Sequence, residues 1–165
     1  MAFWWAWPAA IGAGMKLPVL DILRCPQCRE LFVPWICEQI GNEIITGSLW
    51  CSCSVIKILK GIPRFVHSDS YTDAFSFEWT KHRTTQLDSV TGQTDSADRF
   101  AQSVGIPLSE LNDKLVLDVG CGMGRFAEIA LHYGATVIGM DLSLAVDAAY
   151  ANLGSHPRMH FLQAD

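Results

Sequence analysis

Residues 116–124 read VLDVGCGMG, and the fold turns on this run. An apolar strand ends at Asp118 and Val119, a GxGxG turn follows at Gly120, Gly122 and Gly124, and Phe126, Ile129, Ala130 and Tyr133 then recur at helical spacing as far as Gly134. Strand, glycine turn and helix in that order build a nucleotide pocket. Glycine permits positive φ and a close approach of ligand to backbone, while the first amides of the helix face the same space.

Outward from this run the pattern repeats. Leu115 to Val119 is the first strand, Thr136 to Asp141 the second and Met159 to Ala164 the third. Between the last two, Ser143 is placed to cap a helix whose buried face is Val146, Ala149, Tyr150 and Leu153 and whose stop is Gly154. Upstream, Ser96 is expected to cap a helix with Ala97, Phe100, Ala101 and Val104 on one face, ended by Gly105 and Pro107. Strands alternating with helices imply right-handed crossovers and a parallel sheet with helices on its faces. The expected fold class is α/β, an incomplete Rossmann-like, doubly wound parallel sheet preceded by a small β-rich unit. It is expected to be incomplete because Asp165, read as the end of the third strand, is the last residue. A fourth strand would ordinarily pair with the first, so this reading leaves Leu115 to Val119 as an unpaired apolar edge, with dimerisation or aggregation as the consequence.

The chain has 165 residues, half of them hydrophobic, and a formal charge of −5. That size suits one sizeable domain or two small ones, and the acidic balance disfavours nucleic acid and anionic membrane as partners. The opening MAFWWAWPAAIGAG is apolar, too short to span a bilayer and without charge before Lys16, so it lacks the flank of a signal peptide and reads as an upstream extension or misplaced start of 14 residues, with a short membrane-surface segment as the lesser reading. A cytoplasmic location follows from that reading. Four regions result: the extension 1–14, a cysteine-bearing β-rich module 15–66, a polar and aromatic linker or cap 67–95, and the glycine-turn domain 96–165.

Five of the six cysteines fall in the second region. Cys25 and Cys28 form a CPQC knuckle, and Cys51 and Cys53 supply a second pair. Four thiolates can close a tetrahedral zinc site, structural because no position is left for water or substrate. Disulfides are the competing reading, but they leave Cys37 and Cys121 over and lack the secretory context. Cys37, in the apolar run FVPWIC, is expected to be a buried small hydrophobe. Cys121 reads as a residue small enough for the turn, with no histidine placed to activate it. The five histidines show no metal or catalytic spacing.

A dinucleotide turn needs GxGxxG, with its last glycine beside the pyrophosphate. Here that place is taken by Arg125, which argues against a nicotinamide oxidoreductase. S-adenosylmethionine carries no phosphate and does not require that glycine. Asp141 ends the second strand, where a carboxylate can accept from both hydroxyls of an unphosphorylated ribose, and Asp165 is placed toward the exocyclic amine of adenine. Three successive strands thus bring acidic groups to one edge, where open α/β sheets bind ligands.

LDVGCGMGRF, GMDLS and QAD resemble motif I, the acidic end of the second strand and the adenine-contacting acidic position of class I S-adenosylmethionine-dependent methyltransferases. The resemblance runs from about Ser96 to Asp165. It implies that Gly120, Cys121, Gly122 and Gly124 line the methionine and ribose, that Asp118 orients the turn and the methionine amine, that Asp141 with Leu142 meets the ribose side, and that Asp165 meets the adenine. CPQC, GSLWCSC and KILKGIPRFV in turn resemble the zinc ribbon of the small methyltransferase activator subunits, also found fused ahead of methyltransferase domains. That implies zinc held by Cys25, Cys28, Cys51 and Cys53, with Ser54 standing where fused examples often have glycine. Phe77, Trp79, Gln86 and Asp88 resemble a lid segment, although core packing explains the aromatics equally well. In this family the acceptor and base residues follow the fourth strand, so the expectation is a truncated methyltransferase that binds cofactor, acts on a small-molecule acceptor if any, and turns over weakly or not at all. RNA is the lesser acceptor. The alternative is a non-catalytic zinc-ribbon interaction module with a degenerate cofactor fold.

Overall fold

The structure, a computed structural model, describes residues 14–66 and 83–165. His67, Phe77, Trp79 and His82 lie outside the described residues, so the lid reading is met here only at Gln86 and Asp88. The strands are β1 (Met15–Lys16), β2 (Val33–Ile40), β3 (Glu43–Trp50), β4 (Val55–Leu59), β5 (Ile62–Arg64), β6 (Leu115–Val119), β7 (Thr136–Asp141) and β8 (Met159–Gln163). The helices are α1 (Asp88–Thr91), α2 (Asp95–Val104), α3 (Arg125–His132) and α4 (Ala145–Leu153), with 3-10 turns at Leu17–Asp21 and Leu108–Leu111.

All of these strands join one sheet, ordered β1-β3-β4-β5-β8-β7-β6, with β2 on the other edge of β3. The cysteine module is an antiparallel meander, and β6, β7 and β8 form the parallel part. The two parts meet where Arg64 of β5 pairs in parallel with Gln163 of β8, a joint closed by the Phe65 amide donating to the Gln163 carbonyl at 2.8 Å. Regions separated by a polar stretch in sequence are therefore continuous in hydrogen bonding.

Alternation along the central strands makes two cores, one on each face. On one face Val137, Met159 and Phe161 cluster with Ala127, Ala130, Val146 and Ala149 from α3 and α4 and with Ile62 from the module. On the other, Ile138 and Leu162 cluster with Met15, Val19, Leu23, Ile44, Leu49 and Ile58. The cover over that second face comes from the cysteine module and the turn at Leu17–Asp21, where the doubly wound pattern expects helices. Gly61 explains how the module sits so close. Its φ is +76°, and a Cβ there would lie 2.5 Å from the Tyr150 hydroxyl of α4 and 2.7 Å from the Gly14 Cα.

Two boundaries and one burial differ from the sequence reading. Strand β8 ends at Gln163, so Asp165 lies two residues past it and is exposed. Ser96 sits inside the first turn of α2 rather than capping it; the buried Asp88 accepts from the Ser96 and Ala97 amides at 3.1 and 3.0 Å, and the Ser96 hydroxyl donates to the Gln86 carbonyl. Cys37 is exposed, not buried. The reason is its strand: β2 is an outer edge strand, and a register shift between Ile36 and Glu38 leaves Cys37 without a partner residue across the ladder. On the same strand Val33 and Trp35 are each about two-thirds exposed, with Trp50 half exposed opposite Val33.

At the far end of the sheet β6 has one strand neighbour among the described residues, β7, and Leu115, Leu117 and Val119 are each more than half exposed. No helix among the described residues is long and apolar enough to cross a membrane.

Candidate cofactor site and cysteine cluster

The glycine turn is built as its sequence dictates. Gly120, Gly122 and Gly124 have φ of 73°, 52° and 93°, in the left-handed region that side chains resist. Gly124 has a second reason to lack a side chain, since a Cβ would fall 2.7 Å from the Leu153 Cδ1 of α4. Over Gly120, by contrast, a Cβ would meet nothing within 4 Å, so the space above this residue is open to a ligand.

The amides of the turn are used differently from the sequence expectation. Those of Gly120 and Cys121 both donate to the Met140 carbonyl of β7, at 2.8 and 3.0 Å, and so fasten the turn to the next strand. The Gly122 amide donates to Asp141 Oδ2 at 2.9 Å. Asp141 Oδ1 accepts from the Ser143 amide and hydroxyl at 2.8 and 2.7 Å, and the same hydroxyl accepts from the Ala145 amide at the start of α4. Asp141 thereby ties together the glycine turn and the loop ahead of α4. A carboxylate offers roughly four acceptor positions, so capacity remains for a ribose hydroxyl beside these three bonds. Met140 and Ser143 were not legible as neighbours of the turn, because Met140 acts through its backbone carbonyl and Ser143 through a loop geometry.

Asp118, on β6 below the turn, is the least satisfied group in the site. Its Oδ2 is buried without a hydrogen-bond partner. Burial pushes its pKa above the ordinary carboxylate range, and the charge of Asp141 adds to that, against a hydrogen bond from the Ala127 backbone. An orphaned buried carboxylate oxygen fits a cationic amine. Cys121 is also buried, and burial with the neighbouring Asp118 and Asp141 pushes its thiol strongly up, which removes it as a nucleophile. Arg125 opens α3 and turns away from the pocket: its Nε donates to the Ser96 hydroxyl at 2.9 Å and its guanidinium lies 5.4 Å from the Phe126 ring centroid.

The rim beyond Asp141 is set by Gln163, which sequence reasoning passed over. Its side chain is buried and donates to the Leu142 carbonyl at 3.0 Å, while the Ala164 amide donates to the Asp141 carbonyl at 3.0 Å. Leu142 itself is half exposed, and Asp165 stands free of β8 at the same end of the sheet.

At the other end, Cys25, Cys28, Cys51 and Cys53 bring their sulfurs within 4.8 Å of one another. Cys25 and Cys53 are 3.5 Å apart and Cys51 and Cys53 3.7 Å. Tetrahedral coordination with bonds of about 2.3 Å separates sulfurs by roughly 3.8 Å, so this donor set fits zinc. The knuckle is closed by the Arg29 amide donating to the Cys25 carbonyl at 2.8 Å, with Arg29 at φ 63°. Ser54 lies 3.2 Å from the Cys51 sulfur and 3.5 Å from that of Cys25, and Glu30 accepts from the Ser52 amide at the rim. The Cys28 amide and the Ser54 hydroxyl hold the Cys25 thiol down at about 6, whereas its cysteine neighbours push Cys53 up to about 12. Crowded thiols that cannot all ionise alone are what a divalent cation relieves.

Comparison with curated proteins gave no match. Residues 117–165 match a family model described as a methyltransferase domain. That match starts inside β6 and takes in the glycine turn, Asp141 and Asp165, so this α/β segment is similar to part of a methyltransferase domain.

Proposed function

We propose that the methyl donor is S-adenosylmethionine, held across the ends of β6, β7 and β8, and that Cys25, Cys28, Cys51 and Cys53 hold a structural zinc ion. The observation that carries the first part is the buried, unpartnered Oδ2 of Asp118 beneath an open glycine turn. Asp118 would take the methionine amine, the backbone of Gly120, Cys121 and Gly122 with Gly124 would line the methionine and ribose, Asp141 would accept from a ribose hydroxyl, and Leu142 and Asp165 would border the adenine. The cofactor supplies an activated methyl group, so the protein's part is alignment and exclusion of water. A small-molecule acceptor fits the charge of −5 better than RNA does. Free thiols in the cysteine cluster suit a reducing compartment such as the cytoplasm. The exposed edge of β6 provides a surface for self-association through strand pairing.

Titration calorimetry with S-adenosylmethionine on the whole chain tests the cofactor reading, with Asp141→Ala alongside. Saturable binding that the substitution abolishes supports it. No binding by well-folded protein defeats it and favours the zinc-ribbon interaction module. Metal content by atomic emission tests the zinc, and a ratio near zero with the thiols intact would defeat that assignment.

A further inference from the structure

Arg64 is the residue through which the cysteine module grips the cofactor end of the sheet. It sits on β5, its side chain is almost wholly buried, and its guanidinium makes two bonds to Asp147 of α4, Nη1 to Oδ2 at 3.0 Å and Nη2 to Oδ1 at 2.8 Å. Nη1 also donates to Gln163 Oε1 at 3.2 Å, and Nη2 to the Leu59 carbonyl at 3.4 Å. The amide of Gln163 is thus polarised at both ends, accepting from Arg64 and donating to the Leu142 carbonyl. Asp147 lies in the first turn of α4, and Leu142 follows Asp141. One cation therefore clamps both sides of the segment 141–147, which contains the ribose carboxylate and the residue proposed to border the adenine.

We infer that Arg64 is a positioning residue for the adenosine end of the cofactor site, acting through Gln163 and Asp147 to fix the loop from Asp141 to Ser143. This rests on the cofactor reading above. A five-donor guanidinium is needed because it must hold both oxygens of Asp147 and the Gln163 oxygen at once; an ammonium offers a point charge and cannot make the paired bonds. The loop it holds carries Leu142 beside Asp165 at the rim, so its displacement shifts the purine relative to the carboxylate proposed to meet the adenine amine.

The test uses Arg64→Met and Arg64→Lys in the full chain, with zinc held equal, and S-adenosylhomocysteine and S-inosylhomocysteine as probes. These ligands differ only at the purine. Arg64→Met is expected to weaken S-adenosylhomocysteine by about tenfold, the loss of one well-placed charged hydrogen bond, and to shrink the preference for the adenine ligand. Arg64→Lys should recover part of both. Amide hydrogen exchange at 142–144 should quicken in Arg64→Met with or without ligand. Equal loss of both ligands with an unchanged preference, or unchanged affinity at unchanged exchange, overturns the assignment. If the wild-type chain binds neither probe, the cofactor reading fails and the assignment with it, whereas normal wild-type binding with an indifferent Arg64→Met defeats the assignment alone.

Discussion

Asp118→Asn should raise stability and lower cofactor affinity, two effects of opposite sign from one atom. Asp118 carries a buried oxygen without a partner, and its pKa is raised by burial and by Asp141. Leaving a buried polar group unsatisfied costs about 1–3 kcal/mol, more when it is charged. Because the folded pKa lies above the unfolded one, the carboxyl group's favourable contribution is complete below the unfolded value of about 3.9 and is lost as pH rises through the folded value. At neutral pH the penalty is therefore in force. Asparagine keeps the shape and an acceptor for the Ala127 amide and puts a neutral amide nitrogen in place of the charged oxygen, so only the charge's share of the penalty is recovered, about 1 kcal/mol at pH 7. Urea unfolding at fixed zinc should show a higher midpoint at constant slope. The same change removes the carboxylate proposed to face the methionine amine, so affinity for S-adenosylhomocysteine should drop by at least about tenfold, or 1.4 kcal/mol. If Asp118 only braces the turn through Ala127, stability and affinity will fall together. A variant that is less stable at neutral pH refutes the reasoning.

His160 is buried, its Nδ1 has no partner, and burial with the charge of Lys16 holds its pKa down at about 4. Its stabilising contribution is complete above the unfolded value of about 6.5 and fades as pH falls toward the folded one; His160→Leu should flatten that part of the stability profile measured by urea titration. Gly61→Ala and Gly41→Ala both place a side chain at positive φ, but only at Gly61 does the new Cβ meet Tyr150 and Gly14. Both variants should lose about 1 kcal/mol for the backbone, and Gly61→Ala a further 1–3 kcal/mol, roughly, for overpacking; equal midpoints would remove the close seam from the account. Leu117→Lys puts a charge on the exposed edge strand β6, and light scattering should show less self-association than in the parent without a change in S-adenosylmethionine affinity.

The glycine turn was legible because its three glycines answer a backbone requirement that no other residue meets easily, and strands β6 and β7 were legible to the residue because apolar runs there end on glycine or an acid. The clustering of the four cysteines was legible because their paired spacing, CxxC and CxC, is that of a metal-binding set. What was not legible depends on contacts across long sequence separations. Nothing local distinguishes Arg64 or Gln163 from ordinary surface residues, and their pairing joins positions 99 apart. Asp88 displaced Ser96 as the cap of α2 because its carboxylate arrives from outside the helix and reaches two amides at once. Cys37 misled because an apolar run on an edge strand looks, residue by residue, like one in a core.

The joint between β5 and β8 also sets an order of assembly. Strands β2 to β5 of the cysteine meander pair with near neighbours in sequence, β2 with β3, β3 with β4 and β4 with β5, so this part can close early at little entropic cost. β8 follows almost a hundred residues later and adds to an edge that is already formed. During synthesis the meander is thus a template awaiting the sheet, and β8 finds its register against an edge already in place.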